Sequence, residues 1–219
     1  YSVPQRLRLL LMYGYHVQAA IDGAELSDFD PAAALGEAEQ FAGPGDAAAL
    51  LHLWNTEGIR GGYAPLTEEK FRRLLLEHPE FSPAYTFVLE DAEGIRGFVN
   101  GCAGDHIADG SPVGYVSCLI LAKEADTREN TALLLHALED AFRKAGRTHS
   151  TVSYFNPIRL PWVIPGTEGH QHNNMPGVPV ELPLYERMCA LGYGETDLLN
   201  GSHTAQLIVH GVGSHHQLG

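Results

Sequence analysis

The chain has 219 residues, which is enough for one well-packed core with an appendage. Its formal net charge of -13 disfavours binding to nucleic acids and to anionic membranes, because both require cations that neutralise phosphates. A hydrophobic content of 44% is typical of a folded globular protein, and no apolar run in the sequence is long enough to span a bilayer.

The three cysteines are odd in number, far apart and surrounded by apolar residues; they are Cys102, Cys118 and Cys189. This pattern favours buried, reduced thiols over a disulfide framework, and it therefore indicates a cytoplasmic protein. The opening residues have a basic start and an apolar patch, but the sequence Gly-Tyr-His at positions 14–16 interrupts it. We interpret this start as that of a fragment and not as a signal peptide.

Residues 1–40 are predicted to form an extension and a linker. The apolar residues from Arg6 to Met12 favour a helix that Gly14 would end, before a short extended piece from His16 to Ile21. The stretch that follows is rich in Ala, Asp, Glu, Gly and Pro, as linkers are. The opening also loosely echoes residues 182–194, which would fit the tail of an upstream related domain. Two unrelated amphipathic helices are the alternative.

Residues 41–210 carry helical and strand patterns that are typical of an α/β domain. Two helices come first: Asp46 is predicted to cap one helical run, and Thr67, followed by two glutamates, to cap the second. Apolar strands then flank a turn at Asp91 to Gly94. The near-continuous apolar run of residues 114–122 predicts a strand that is buried on both faces.

The second half of this domain is predicted to continue with helix, strand, loop, helix and strand. Apolar residues recur at helical spacing from Asn130 to Ala145, and a strand follows at residues 149–155. A loop rich in Pro, Gly and Asn spans Pro157 to Pro183, a short helix ends at Gly192, and residues 203–210 form a last strand. The order predicts a sheet that mixes antiparallel hairpins with a helical crossover.

The segment from Asn156 to Gly192 has the most distinctive pattern in the chain. It reads Asn-Pro after a strand, then a long loop with IPGT, GH, HN and PGV, and then a helix that ends in Gly-Tyr. Together with the element order, this pattern resembles a bacterial subfamily of the GNAT superfamily, the acyl-CoA-dependent N-acyltransferases. The resemblance implies the GNAT fold, an α/β fold whose mixed, mostly antiparallel sheet has helices on both faces.

The same resemblance implies an activity and a place for the cofactor. GNAT enzymes transfer acetyl from acetyl-CoA to an amine by direct attack, so we expect a small amine or amino-acid-like acceptor. The strand that binds the acyl carbonyl would be Ser117 to Leu121, with Leu119 and Leu121 in contact with the cofactor. The pyrophosphate would lie at the start of the following helix, where free N–H groups attract anions. The residues implied there are Arg128, Asn130, Thr131 and Ala132.

The loop before that helix departs from the family pattern. Where GNAT enzymes have Pro, then Arg or Gln, then two glycines, both flanks place Lys123, Asp126, Glu129 and Thr131. Acidic residues here would repel a pyrophosphate. One interpretation is that Lys123, Arg128 and backbone amides compensate. The other is a degenerate, non-catalytic GNAT-like module for binding or dimerisation, which has lost CoA binding; a homodimer stays open in either case.

Acyl transfer from a thioester needs an acid for the leaving thiolate and a base for the amine. The resemblance implies Tyr185 as the acid, although it could simply pack its helix on the sheet. Asn156 could bind the pantetheine arm or only turn the chain. The candidate bases are His106 and His170, with Asp105 and His172 as the other choices.

No metal site is expected, because the histidines lack carboxylate or thiolate partners at ligand spacing. Two of these histidines fall in residues 211–219, which are predicted to form a flexible tail. A further interpretation is that the loop from Trp162 to Val180 encloses a different small ligand.

Overall fold

A computed structural model of the protein describes most of the predicted domain and a segment near the start of the chain. The described residues are 6–11, 15–20, 44–103, 112–153, 156–163, 171–172, 177–198 and 204–210. Within them, no helix is long and apolar enough to cross a membrane.

The described chain contains both strands and helices. The strands are β1 (Arg6–Leu11), β2 (Tyr15–Ala20), β3 (Thr86–Asp91), β4 (Gly94–Cys102), β5 (Val113–Leu121), β6 (His149–Val152), β7 (Trp162–Val163), β8 (Gln171–His172), β9 (Val178–Pro179), β10 (Gly194–Leu198) and β11 (Thr204–His210). The helices are α1 (Pro44–Glu57), α2 (Glu68–Phe71, which continues as a π-helical turn over Arg72–Leu76), α3 (Arg128–Lys144) and α4 (Pro183–Ala190). Single 3-10 turns follow α1 at Gly58–Gly61 and precede α3 at Lys123–Ala125.

Among the described residues, the main sheet has seven strands in the order β10-β11-β6-β5-β4-β3, with β9 also paired to β11. Its described pairs are antiparallel apart from β5 and β6, which run parallel because α3 returns the chain across the sheet. This is the mixed, mostly antiparallel sheet that the resemblance implied.

The pairing between β5 and β6 ends early. It covers Val113 to Tyr115, although β5 continues to Leu121. From Val116 onward, therefore, the edge of β5 that faces β6 has no strand partner in the described ladder. The two strands diverge at this point, and a cleft opens along the second half of β5.

A β-bulge interrupts the other edge of β5 at the same level. Asn100 of β4 pairs with Cys118, but the next residue, Gly101, pairs with Val116. Ser117 is therefore one extra residue in β5, and such an insertion bends the strand and increases its twist locally.

The bulge also changes which face of the sheet the side chains of β5 point to. Before it, a Cβ atom added to Gly114 would lie 2.4 Å from the Phe142 ring of α3. After it, Ile120 Cδ1 would lie 3.1 Å from a Cβ added to Gly58, at the end of α1. In an unbroken strand Gly114 and Ile120 would point to the same face, because side chains alternate. The helices α1 and α3 thus cover opposite faces, as predicted.

Most of the predicted elements of the domain are confirmed. Thr67 caps α2 by accepting a hydrogen bond from the Lys70 amide, and Gly94 forms the β3–β4 turn with a positive φ of 116°. Asp46 lies inside the first turn of α1 instead of capping it. The short strands β7 to β10 were not predicted.

The prediction of a helix from Arg6 to Met12 is wrong. β1 and β2 form an antiparallel hairpin, in which Arg6 lies opposite Ala20 and Leu11 opposite Tyr15. Arg and Leu alternate at the start of β1, and this two-residue period suits a strand. β1 also lies beside β3. The linker and the tail fall in residues 21–43 and 211–219, outside the described residues, so the predicted domain division stays a prediction.

Candidate functional site

A cleft follows β5 from the point where it leaves β6. It contains a pocket of about 110 Å³ between the end of α1, the end of β5 and the start of α4. A smaller pocket of about 40 Å³ lies nearer the bulge, where Val116, Val152 and Met188 are among its walls. The two pockets share five wall residues and so form one continuous cleft; these are Gly61, Tyr63, Leu119, Leu182 and Leu184.

Asn156 fixes the geometry at the bulge end of this cleft. Its buried amide donates to the Val116 carbonyl at 2.9 Å. Its Oδ1 atom accepts from the Ser117 hydroxyl at 3.4 Å and from the Ile158 amide at 2.9 Å. These bonds tie the chain that follows β6 to β5, so Asn156 has the turn-forming role that was one of its two predicted roles. Contact with a pantetheine arm stays a prediction.

Tyr63, which the sequence did not single out, stands where the two pockets meet. Its hydroxyl donates to the Ser117 carbonyl at 3.4 Å. Its ring lies 4.6 Å from the ring of the fully buried Trp54, and its backbone forms a β-bridge with Trp162. The ring is partly open to the cleft, yet protein atoms surround the hydroxyl densely, and this desolvation raises the pKa of Tyr63 well above the ordinary tyrosine value.

The start of α3 is closed by its own side chains. The Thr127 hydroxyl caps the helix by accepting from the Asn130 amide at 3.2 Å, and the Thr131 amide donates to the Thr127 carbonyl at 3.1 Å. The Asn130 and Thr131 side chains are buried, whereas Arg128 is exposed. An anion at this end would therefore meet the first amides of the helix, at Arg128 and Glu129, and not those of the predicted contacts Asn130 and Thr131.

Asp126, just before this helix, is neutralised by α4. Its carboxylate forms an ion pair with Arg187, whose second guanidinium nitrogen donates to the Asp126 carbonyl at 2.7 Å. Both side chains are largely shielded, at 26% and 18% exposed. The sequence indicated that Asp126 would repel an anion, but the ion pair removes most of that repulsion. The exposed carboxylates of Glu124 and Glu129 still oppose an anion.

Leu119 and Leu121, the predicted contacts on β5, both line the cleft. The Leu121 carbonyl accepts from Arg60 at 3.2 Å, and Arg60 is itself paired with Glu57 at 2.6 Å. Arg60 therefore lies at the outer end of the cleft, bound to Glu57. Arg187 lies beside the same end, bound to Asp126 of the pocket wall. Ala132 is half-buried in the first turns of α3.

The structure does not bring Tyr185 into the cleft. On α4 the side chains of Leu184 and Met188 line it, whereas the Tyr185 hydroxyl donates to the Glu195 carboxylate on β10. That hydrogen bond raises the pKa of Tyr185 above the usual tyrosine range. The prediction that Tyr185 protonates the leaving thiolate is untested, and the position of its hydroxyl, bonded to Glu195, does not support it.

The predicted bases are not described. His106, His170 and Asp105 lie outside the described residues, and the structure describes only the backbone of His172, in β8. Within the described part of the chain, no group of three metal-ligating side chains comes together.

Comparisons with known proteins show the fold. No protein-family model and no curated protein matches the sequence. The structure is similar to a protein from Desulfovibrio desulfuricans that is assigned to the GNAT family of acetyltransferases, with 11% identity and a TM-score of 0.51 over 76% of this chain and 93% of that one. It is also similar to a GCN5-related N-acetyltransferase from Kribbella flavida, with 16% identity and a TM-score of 0.50 over 76% and 92%. Likeness at such identities concerns fold and not activity. The chain therefore has the GNAT fold, as the resemblance of its sequence implied.

Proposed function

We propose that the protein is an N-acetyltransferase that takes acetyl-CoA as its donor and a small amine or an amino-acid-like molecule as its acceptor. The observation that carries the proposal is the cleft beside β5 from Val116 to Leu121, where the strand has lost its β6 partner, within a GNAT fold. Three carbonyls of this segment already accept side-chain hydrogen bonds, and a bound ligand can provide partners for its other backbone groups.

The cleft residues suit the thioester end of this donor, because apolar walls lie beside an edge of β5 that has no strand partner in the described ladder. When bound, acetyl-CoA would supply acetyl as a thioester; its carbonyl carbon would form a bond with the amine nitrogen, and the C–S bond would break so that CoA leaves as its thiolate. Leu119 and Leu121 would contact the pantetheine arm. At the outer end, Arg128 and the first amides of α3 would bind the diphosphate. The formal charge of -13 favours a cationic acceptor, which His106 or His170 would deprotonate.

Isothermal titration calorimetry with acetyl-CoA and with CoA tests the proposal. Both ligands should bind, with dissociation constants in the micromolar range. The variant Leu184→Arg, which places a charged side chain in the wall shared by both pockets, should abolish binding. Leu74→Arg is the matched control, since Leu74 is equally half-buried but lies on α2 outside the cleft.

Circular dichroism would show that each variant is folded before the titration. If the folded native protein releases no heat with millimolar acetyl-CoA, the proposal is wrong, and a non-catalytic GNAT-like module becomes the better interpretation.

A further inference from the structure

Tyr63 has a position in the cleft that no other described polar side chain shares. Of the five residues that line both pockets, Gly61, Leu119, Leu182 and Leu184 carry no polar side-chain atom. Any ligand that runs from the outer pocket to the inner one therefore passes Tyr63, whose hydroxyl is the one polar side-chain group among these five residues.

The Tyr63 ring is rigidly placed. Trp54 packs against it, and the Trp54 Nε1 donates to the Ala64 carbonyl at 2.9 Å, which ties α1 to the residue after Tyr63. The Ala64 amide in turn donates to the Pro161 carbonyl at 2.9 Å. A side chain fixed in this way loses little entropy when it donates to a ligand.

The Tyr63 hydroxyl can exchange its present partner for a ligand. Its bond to the Ser117 carbonyl is 3.4 Å long, whereas a good O–H···O bond measures about 2.7 Å. The raised pKa keeps this hydroxyl protonated, so that at neutral pH it acts as a donor. The partner carbonyl belongs to the bulge residue, at the level where β5 leaves β6.

We infer that Tyr63 is a catalytic residue that donates a hydrogen bond to the carbonyl oxygen of the bound thioester, beside the backbone groups of β5. This inference rests on the proposed function. A donor at this oxygen stabilises the negative charge that grows there as the amine attacks. Tyr63 would thus contact the reacting group directly. Tyr185 makes no such contact, because its hydroxyl is bonded to Glu195 outside the cleft.

Paired titrations test this contact without an acceptor. Acetyl-CoA and S-ethyl-CoA have similar sizes, but the thioether lacks the carbonyl oxygen. The native protein should prefer acetyl-CoA, and Tyr63→Phe should reduce that preference roughly fivefold by weakening acetyl-CoA binding alone. Tyr185→Phe, the matched control, should keep the native preference. Both variants retain the aromatic ring and are expected to fold.

The outcomes separate the two proposals. If both compounds bind but Tyr63→Phe keeps the native preference, or the native protein has no preference, the role of Tyr63 is wrong while the acetyltransferase proposal stands. A loss of preference in Tyr185→Phe alone would transfer the role to Tyr185. If neither compound binds the native protein, the proposed function fails, and the role of Tyr63 fails with it.

Discussion

Replacing Gly114 with alanine is expected to lower the free energy of unfolding by about 3 kcal/mol, and valine should cost more. The added Cβ would lie 2.4, 2.5 and 2.6 Å from three atoms of the Phe142 ring. Real Cβ atoms do not approach other atoms so closely, and the fully buried Phe142 has no open space into which it can move. The strand β5 would have to shift, which would disturb its short ladder with β6.

Urea unfolding of the native protein and the variants measures this cost. Gly61→Ala is the control, because its added methyl would meet only the Tyr63 ring at an ordinary distance of 3.6 Å. Phe142→Leu should restore part of the stability lost in Gly114→Ala, since the smaller side chain frees the space. A Gly114→Ala protein as stable as the native one would contradict the described packing of α3 on β5.

The buried carboxyl of Glu139 should make the stability of the protein depend on pH. Glu139 lies on α3, where it accepts a hydrogen bond from the Tyr193 hydroxyl at 2.7 Å, and that hydroxyl lies 2.9 Å from the Ser150 hydroxyl. Desolvation by burial raises the pKa of Glu139 to about 7, although the bond from Tyr193 and the charge of Arg143 act in the opposite direction.

Between the ordinary carboxyl pKa of 4.5 and about 7, the folded state binds more protons than the unfolded state. Stability therefore falls as the pH rises through this range, by about 3 kcal/mol, and the loss is complete above about pH 7. The variant Glu139→Gln stays neutral and can still accept from Tyr193. It should match the native stability near pH 4.5 and exceed it by about 3 kcal/mol at pH 8.

Urea unfolding at both pH values gives the difference directly. Glu124→Gln, which removes an exposed carboxylate, should change little between the two conditions. An equal effect of Glu139→Gln at pH 4.5 and pH 8 would show that the buried carboxyl does not control this dependence.

The fold could be predicted from the sequence because local patterns specify most of its elements. The apolar run of β5, the helical period of α3 and the turn at Gly94 each depend on neighbouring residues. The hairpin of β1 and β2 differs from the predicted helix because apolar periodicity is ambiguous in short runs, in which the alternation of Arg and Leu favours a strand.

The candidate site was harder to predict because it depends on contacts between distant parts of the chain. Asp126 and Arg187 are separated by 61 positions, so no spacing rule could reveal that the carboxylate is neutralised. Tyr63 reaches Ser117 across 54 positions, and its only local signal was the Gly61-Gly62 turn before it. The bulge at Ser117 likewise depends on the register between β4 and β5, which the sequence of β5 alone does not specify.

The aromatic neighbours of Tyr63 have a spectroscopic consequence. The protein contains two tryptophans, and both adjoin Tyr63, Trp54 through its ring and Trp162 through a backbone bridge. Indole emission responds to the polarity and motion of its surroundings. A molecule that enters the cleft should therefore alter the intrinsic fluorescence of the unlabelled protein, and libraries of donors and amines could be screened by that optical change alone.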